Sequence, residues 1–146
     1  AVPTGVRTIY NGTSWVCVTP IGAYSSTSAT TTSGAFVTTL TGDATAISVT
    51  LVTGTTAMIA FDSSVANNGL NLQSISFSVS GATTVAPSDA NAATASVPVA
   101  NTRVNLARSY IFTGLTAGTN TFTMNYKTGY GTSTFVTRGF TVVGVS

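Results

Sequence analysis

Histidine and glutamate are absent from this 146-residue chain, and cysteine occurs once, at Cys17. Those gaps exclude most of the usual chemistry. Ser/His/Asp and Cys/His constellations cannot be assembled without an imidazole. A zinc site of the common kind needs His or a second Cys. An intrachain disulfide needs a second thiol. General acid–base work would fall to Asp43, Asp62 and Asp89 alone, and their surroundings suit turn and cap roles better. Asp43 follows Gly42 in a turn, Asp62 is expected to end a strand, and Asp89 to cap a short helical turn. No EF-hand-like spacing of acids offers calcium a site. The sequence therefore predicts a non-enzyme with no catalytic residue, metal or cofactor.

Charge is scarce as well. Only Arg7, Asp43, Asp62, Asp89, Arg103, Arg108, Lys127 and Arg138 are ionised, 5% of the chain against about a quarter in ordinary globular domains. The five cations form no run, so no nucleic-acid stripe is expected. Long apolar runs are missing too, and a membrane-spanning helix needs about 20 such residues. The chain opens without Met, as a processed chain or a piece of a longer one would, and residues 1–5 lead into polar sequence without a signal-peptide stretch.

Ser and Thr fill the space, at roughly a third of all residues. Hydroxyls and amides, not ions, must wet this surface. Little like-charge repulsion keeps such copies apart, which suits a protein held beside others of its kind. Cys17, between Val16 and Val18, reads as a buried strand thiol.

Helical periodicity is lacking, whereas alternation recurs. Ile75, Phe77 and Val79 alternate with serines, Phe122, Met124 and Tyr126 with Thr and Asn, and Ile47, Val49 and Leu51 with Ser48 and Thr50. Each pattern describes a half-buried strand. Further strands are expected at residues 8–10, 15–19, 35–40, 56–61, 105–113 and 135–143. Turn residues punctuate them: Asn11-Gly12, Gly42-Asp43, Asn67-Asn68-Gly69, Gly118 and Gly129-Tyr130-Gly131. Asn11-Gly12-Thr13 also matches a glycosylation acceptor, but a hairpin turn accounts for it. About nine antiparallel strands with this punctuation predict an all-β jelly roll or β-sandwich. Residues 24–34 read as a Ser/Thr-rich linker, dividing an N-terminal hairpin unit, 1–34, from a sandwich, 35–146. Residues 82–102, with Pro87 and Pro98, read as a long excursion with a helical turn near 88–93, and a loop that long must pack or bind something.

Most rings on alternating strands belong to a core. A sugar's apolar face also packs on exposed rings, and Tyr130, Trp15 and Tyr24 are the candidates for glycan contact, Tyr130 foremost because glycines flank it.

The order Thr53-Gly54-Thr55-Thr56-Ala57-Met58-Ile59, Ser74–Thr84, Ser88-Asp89-Ala90, Gly114–Thr123 and Gly131–Arg138 resembles a jelly-roll domain of tailed-bacteriophage fibres, capsid decorations and tail appendages. Residues 10–16 are similar to short repeats preceding such domains. The resemblance, from about Gly42 onward, implies a compact fold broadly like C1q and tumour-necrosis-factor modules. It also implies frequent homotrimers, other virion proteins as partners, and a place on the exterior of capsid or tail. It transfers no functional residue. A host-glycan-binding fibre tip and a non-viral bacterial surface adhesin fit the same composition. Ile111, in Tyr110-Ile111-Phe112, falls opposite residues that one sandwich face would bury, and so predicts an apolar patch for self-association.

Overall fold

The computed structural model describes residues 7–12 and 15–145. Thr13 of the possible glycosylation acceptor and residues 1–6 lie outside the described residues. Eleven strands run through the described residues: β1 Thr8–Tyr10, β2 Trp15–Cys17, β3 Ile21–Ser25, β4 Ala29–Thr31, β5 Ser48–Thr53, β6 Thr56–Asn67, β7 Leu72–Gly81, β8 Ala93–Ser96, β9 Val104–Thr113, β10 Gly118–Thr128 and β11 Ser133–Gly144. No helix among them is long and apolar enough to cross a membrane.

The pairing is nested. β7 pairs with β8, β6 with β9, β5 with β10 and β3 with β11, each antiparallel. The chain thus doubles back about the β7–β8 connection, and the doubled ribbon rolls into two layers. One layer has the order β5-β10-β7-β8, and the other β3-β11-β6-β9 with β4 also on β11. That wrapping is a jelly roll.

Period-two alternation decides which side chains meet between the layers. Phe122, Met124 and Tyr126 of β10, Ile75, Phe77 and Val79 of β7, and Val49 and Leu51 of β5 point inward from one sheet. Ala57, Ile59 and Phe61 of β6, Phe140 and Val142 of β11, and Leu106 of β9 meet them from the other. Phe61 lies 6.1 Å from Phe77 and 6.5 Å from Phe140, ring to ring. Gly81, at φ +105°, closes β7 where a Cβ would strike the Thr119 carbonyl, so only glycine fits.

Along β11 the register against β6 shifts between Phe135 and Thr137. The bulge reverses which residues face inward. Before it Phe135 is buried, and after it Arg138, Phe140 and Val142 are. A β-bulge re-aims side chains in this way, and here it sends a guanidinium into the interior.

The small hairpin β1–β2 pairs Tyr10 with Trp15 and buries Val16 and Cys17. It lies against the end of β11, where a Cβ on Gly144 would meet the Cys17 carbonyl and Val16.

Four expectations change. Residues 24–34 are not a linker loop: β3 and β4 are strands of the larger sheet, hydrogen-bonded to β11. Residues 35–40 form no strand and make only isolated bridges, Val37 to Tyr126 and Leu40 to Asp43. The excursion carries β8 as well as a 3-10 turn, Asp89–Asn91. Asp89 does not cap that turn; its carboxylate pairs with Lys127.

The core assignment can be tested at Phe122, which is fully buried. Phe122→Ala should cost about 3–5 kcal/mol through lost transfer energy and a residual cavity. Chemical denaturation beside an exposed Thr119→Ala control reads this directly, and equal effects of the two would refute the assignment.

Candidate functional site

The two outer faces of the sandwich differ. That of the β5-β10-β7-β8 sheet is covered over β7 and part of β10, while Ser48, Thr50 and Val52 of β5 stay exposed. Ser74, Ser76 and Asn125 point away from the core yet are buried. The excursion after β7 lies over them: Ser76 Oγ donates to the Ser88 carbonyl at 3.0 Å, and Val85 bridges Val79. Lys127 sits over the Phe36 ring at 4.7 Å and pairs with Asp89. Arg108 donates to the carbonyls of Ala90 and Ala92 at 2.9 and 2.8 Å, clipping the excursion to the sandwich edge. The long loop therefore packs.

The outer face of the other sheet has no such cover among the described residues. Register fixes its rows. Val143, Met58 and Ile111 lie side by side across β11, β6 and β9. Thr141, Ala60 and Ser109 form the next row, and Gly139, Asp62 and Ala107 the one beyond, with Tyr24 of β3 opposite Gly139. Ile111 is 64% exposed and Met58 39%. Asp62 is the sole ionised side chain in these rows. It stands in mid-strand rather than at a strand end, and its carboxylate leans over Gly139 where a Cβ would be. The surface is built largely of small side chains, carries a shallow depression lined by Ala60, Asp62, Ala107 and Ser109, and is nearly uncharged and apolar at one end.

The three glycan candidates do not converge. Trp15 packs tilted against Tyr10, ring centroids 5.4 Å apart, on the hairpin beyond the end of β11. Tyr24 lies beside the middle of β11, and Tyr130 just before its start, so the set spans most of a strand of roughly 40 Å at 3.4 Å per residue. Tyr130, 77% exposed, borders a shallow groove with Thr32, Asn68, Gly69 and Thr132. Asn67 holds that turn: its Nδ2 donates to Thr128 Oγ1, the Tyr130 carbonyl and Ser133 Oγ at 2.9–3.1 Å, while its Oδ1 accepts from Gly69 N at 2.7 Å. The turn signal Asn67-Asn68-Gly69 marked the place but not this clamp.

An ion pair between the buried Arg138 and a partly exposed Asp43 also escaped sequence reasoning. Arg138 Nη2 donates to Asp43 Oδ2 at 2.6 Å, and to Ser25 Oγ and the Thr27 carbonyl at 2.9 Å. Asp43 accepts in addition from Thr45 N at 3.0 Å and Ser25 Oγ at 2.9 Å. The Thr45 backbone bond, then Arg138, then Ser25 lower the Asp43 pKa from 3.8 to about 2. Burial raises the Tyr126 phenol to about 12, against a smaller opposing effect of Arg138.

No protein-family model matches the chain, and no curated protein sequence matches it. Solved structures do. Eiger TNF from S. frugiperda aligns with a TM-score of 0.57 at 10% identity, over 87% of this chain and 93% of that one. A chain of the T13 infectious bursal disease virus particle aligns at 0.62 and 10% identity, over 86% of this chain and 31% of its own. The Gx strain of that virus gives 0.58 at 9% identity, over 92% and 36%. This chain thus spans about a third of the viral chains it matches. At such identities the likeness shows the jelly-roll fold alone.

The Asp43 environment sets a pH dependence. Its folded pKa lies below its unfolded value, so its contribution to stability is complete above about 4 and is lost as pH falls toward 2. Urea midpoints should fall over that interval, and Asp43→Asn, less stable throughout because Arg138 stays buried, should lack that fall. An unchanged pH profile in the variant would contradict the assignment.

Proposed function

We propose that this chain is a non-enzymatic structural subunit of a virion, an outward-facing fibre, decoration or tail-appendage protein of a tailed bacteriophage. In this reading it works as a homo-oligomer, with a trimer first in line, among other virion proteins. The observation that carries the reading is the open sheet face with its row Val143, Met58 and Ile111. Apolar side chains in register on a face with one charge, Asp62, suit burial against another subunit, and closed symmetry hides such a patch without forming filaments. The sequence resemblance supports the phage assignment and the trimer number. The fold's likeness to a chain of a virus particle supports a virion role, although infectious bursal disease virus is not a tailed phage.

Tyr130 favours a second reading, a tip that binds host glycan: an exposed ring beside Asn68, Thr32 and Thr132 offers a stacking surface with polar neighbours. Tyr24 and Trp15 would act elsewhere on the molecule, not in the same site.

Size exclusion with light scattering at micromolar protein tests self-assembly. The expected mass is three chains, and Ile111→Lys or Met58→Lys should yield folded monomer with an unchanged circular dichroism spectrum. A stable dimer would reject the trimer, and a monomer at every dilution would reject self-assembly.

A further inference from the structure

Arg138 is fully buried, yet only one of its three guanidinium nitrogens is paired. Nε and Nη1 have no hydrogen-bond partner among protein atoms. A guanidinium does not lose its proton, so it cannot escape this by neutralising. Buried donors left without acceptors are rare because nothing replaces the water they gave up.

Two hydroxyls nearby share the condition. Ser63 is the register partner of Arg138 on β6, so its side chain enters the interior on the same face, and its Oγ is buried without a partner. Tyr126 reaches in from the opposite sheet, its ring 5.7 Å from the Arg138 Cζ; its hydroxyl lies within electrostatic reach of the guanidinium, yet is buried and makes no hydrogen bond of normal geometry. Three strands thus bring four unsatisfied polar atoms to one region of an otherwise apolar interior. The bulge after Phe135 causes this, since without it residue 138 would face outward.

We infer that ordered water occupies this region between the sheets, linking Arg138 Nε and Nη1 to the hydroxyls of Ser63 and Tyr126. Water fits because it accepts from N–H and donates to a hydroxyl oxygen. An anion could also accept from both N–H groups and both hydroxyls, so charge decides between them. Asp43 already neutralises the guanidinium, and a second anion would leave a net negative charge in the interior, which is strongly disfavoured. Direct closure is resisted because Nη2 is tied toward β3 by Ser25, Thr27 and Asp43, on the side of β11 away from Ser63.

A crystal structure of the unmodified protein, grown with bromide in place of chloride, tests this. The expected result is water density within hydrogen-bond reach of Arg138 Nε or Nη1 and of Ser63 Oγ or Tyr126 Oη, with no anomalous peak there. A bromide peak at that position would overturn the inference in favour of an anion site. Direct bonds from Nε and Nη1 to protein atoms, with no solvent between, would overturn it in favour of a closed network.

Discussion

The inner faces of the two sheets can leave water only against each other, and everything else about the molecule follows from that burial. Alternate side chains on β5, β6, β7, β10 and β11 must point inward together. A slip of one residue in any ladder would turn a row of Phe, Ile and Val toward solvent and serines toward the core. The same parity that places Ile59 and Phe61 inside places Met58, Ala60 and Asp62 outside. The open face is therefore specified as tightly as the core, and its apolar row is a fixed feature of the register.

Charge enters this frame sparingly, and most of it is used internally. Asp43 holds Arg138 inside the sandwich, Lys127 holds the excursion to β10 through Asp89, and Arg108 is engaged by two carbonyls. Among the described residues this leaves Arg7, Asp62 and Arg103 outside any ion pair or carbonyl clip. The surface free to repel a second copy is thus even less charged than the composition implies. The Arg138–Asp43 pair also ties β3 and the turn at Asp43 to β11, so β3 is joined to the sandwich by polar contacts as well as by backbone pairing.

Sequence legibility tracked side-chain size. The alternations around Ile75, Phe77 and Val79 and around Phe122, Met124 and Tyr126 marked β7 and β10 because large apolar residues stood against Ser and Thr. β3, β4 and β8 were hidden because Gly, Ala, Ser and Thr dominate them, and their strand character comes from the backbone of β11 or β7 beside them. Residues 35–40 misled in the opposite sense: Val37 and Leu40 are apolar because they pack into the core from isolated bridges rather than from a strand, and Phe36 lies under Lys127 on the outer face. Asp62 resembled a strand end, yet Ser63, Val65 and Asn67 continue the inward alternation to the end of β6. The Arg138 site depends on the single extra residue of the bulge, which shifts parity without any turn residue to announce it. Of the candidate rings, Tyr130 was legible as exposed from its flanking glycines, whereas the separation of Trp15, Tyr24 and Tyr130 along β11 is a property of topology alone.

The central claim, that copies of this chain meet through the open face of the larger sheet, is tested most directly by a thiol placed on it. Ile111→Cys puts a reactive group in the apolar row, while the native Cys17 is buried and serves as a slow internal reference. The labelling rate at position 111 should drop steeply as protein concentration rises and the face becomes covered, with Cys17 unchanged. A rate at position 111 that stays fast and independent of concentration, in a sample that light scattering shows to be oligomeric, would place the contact elsewhere and contradict the account.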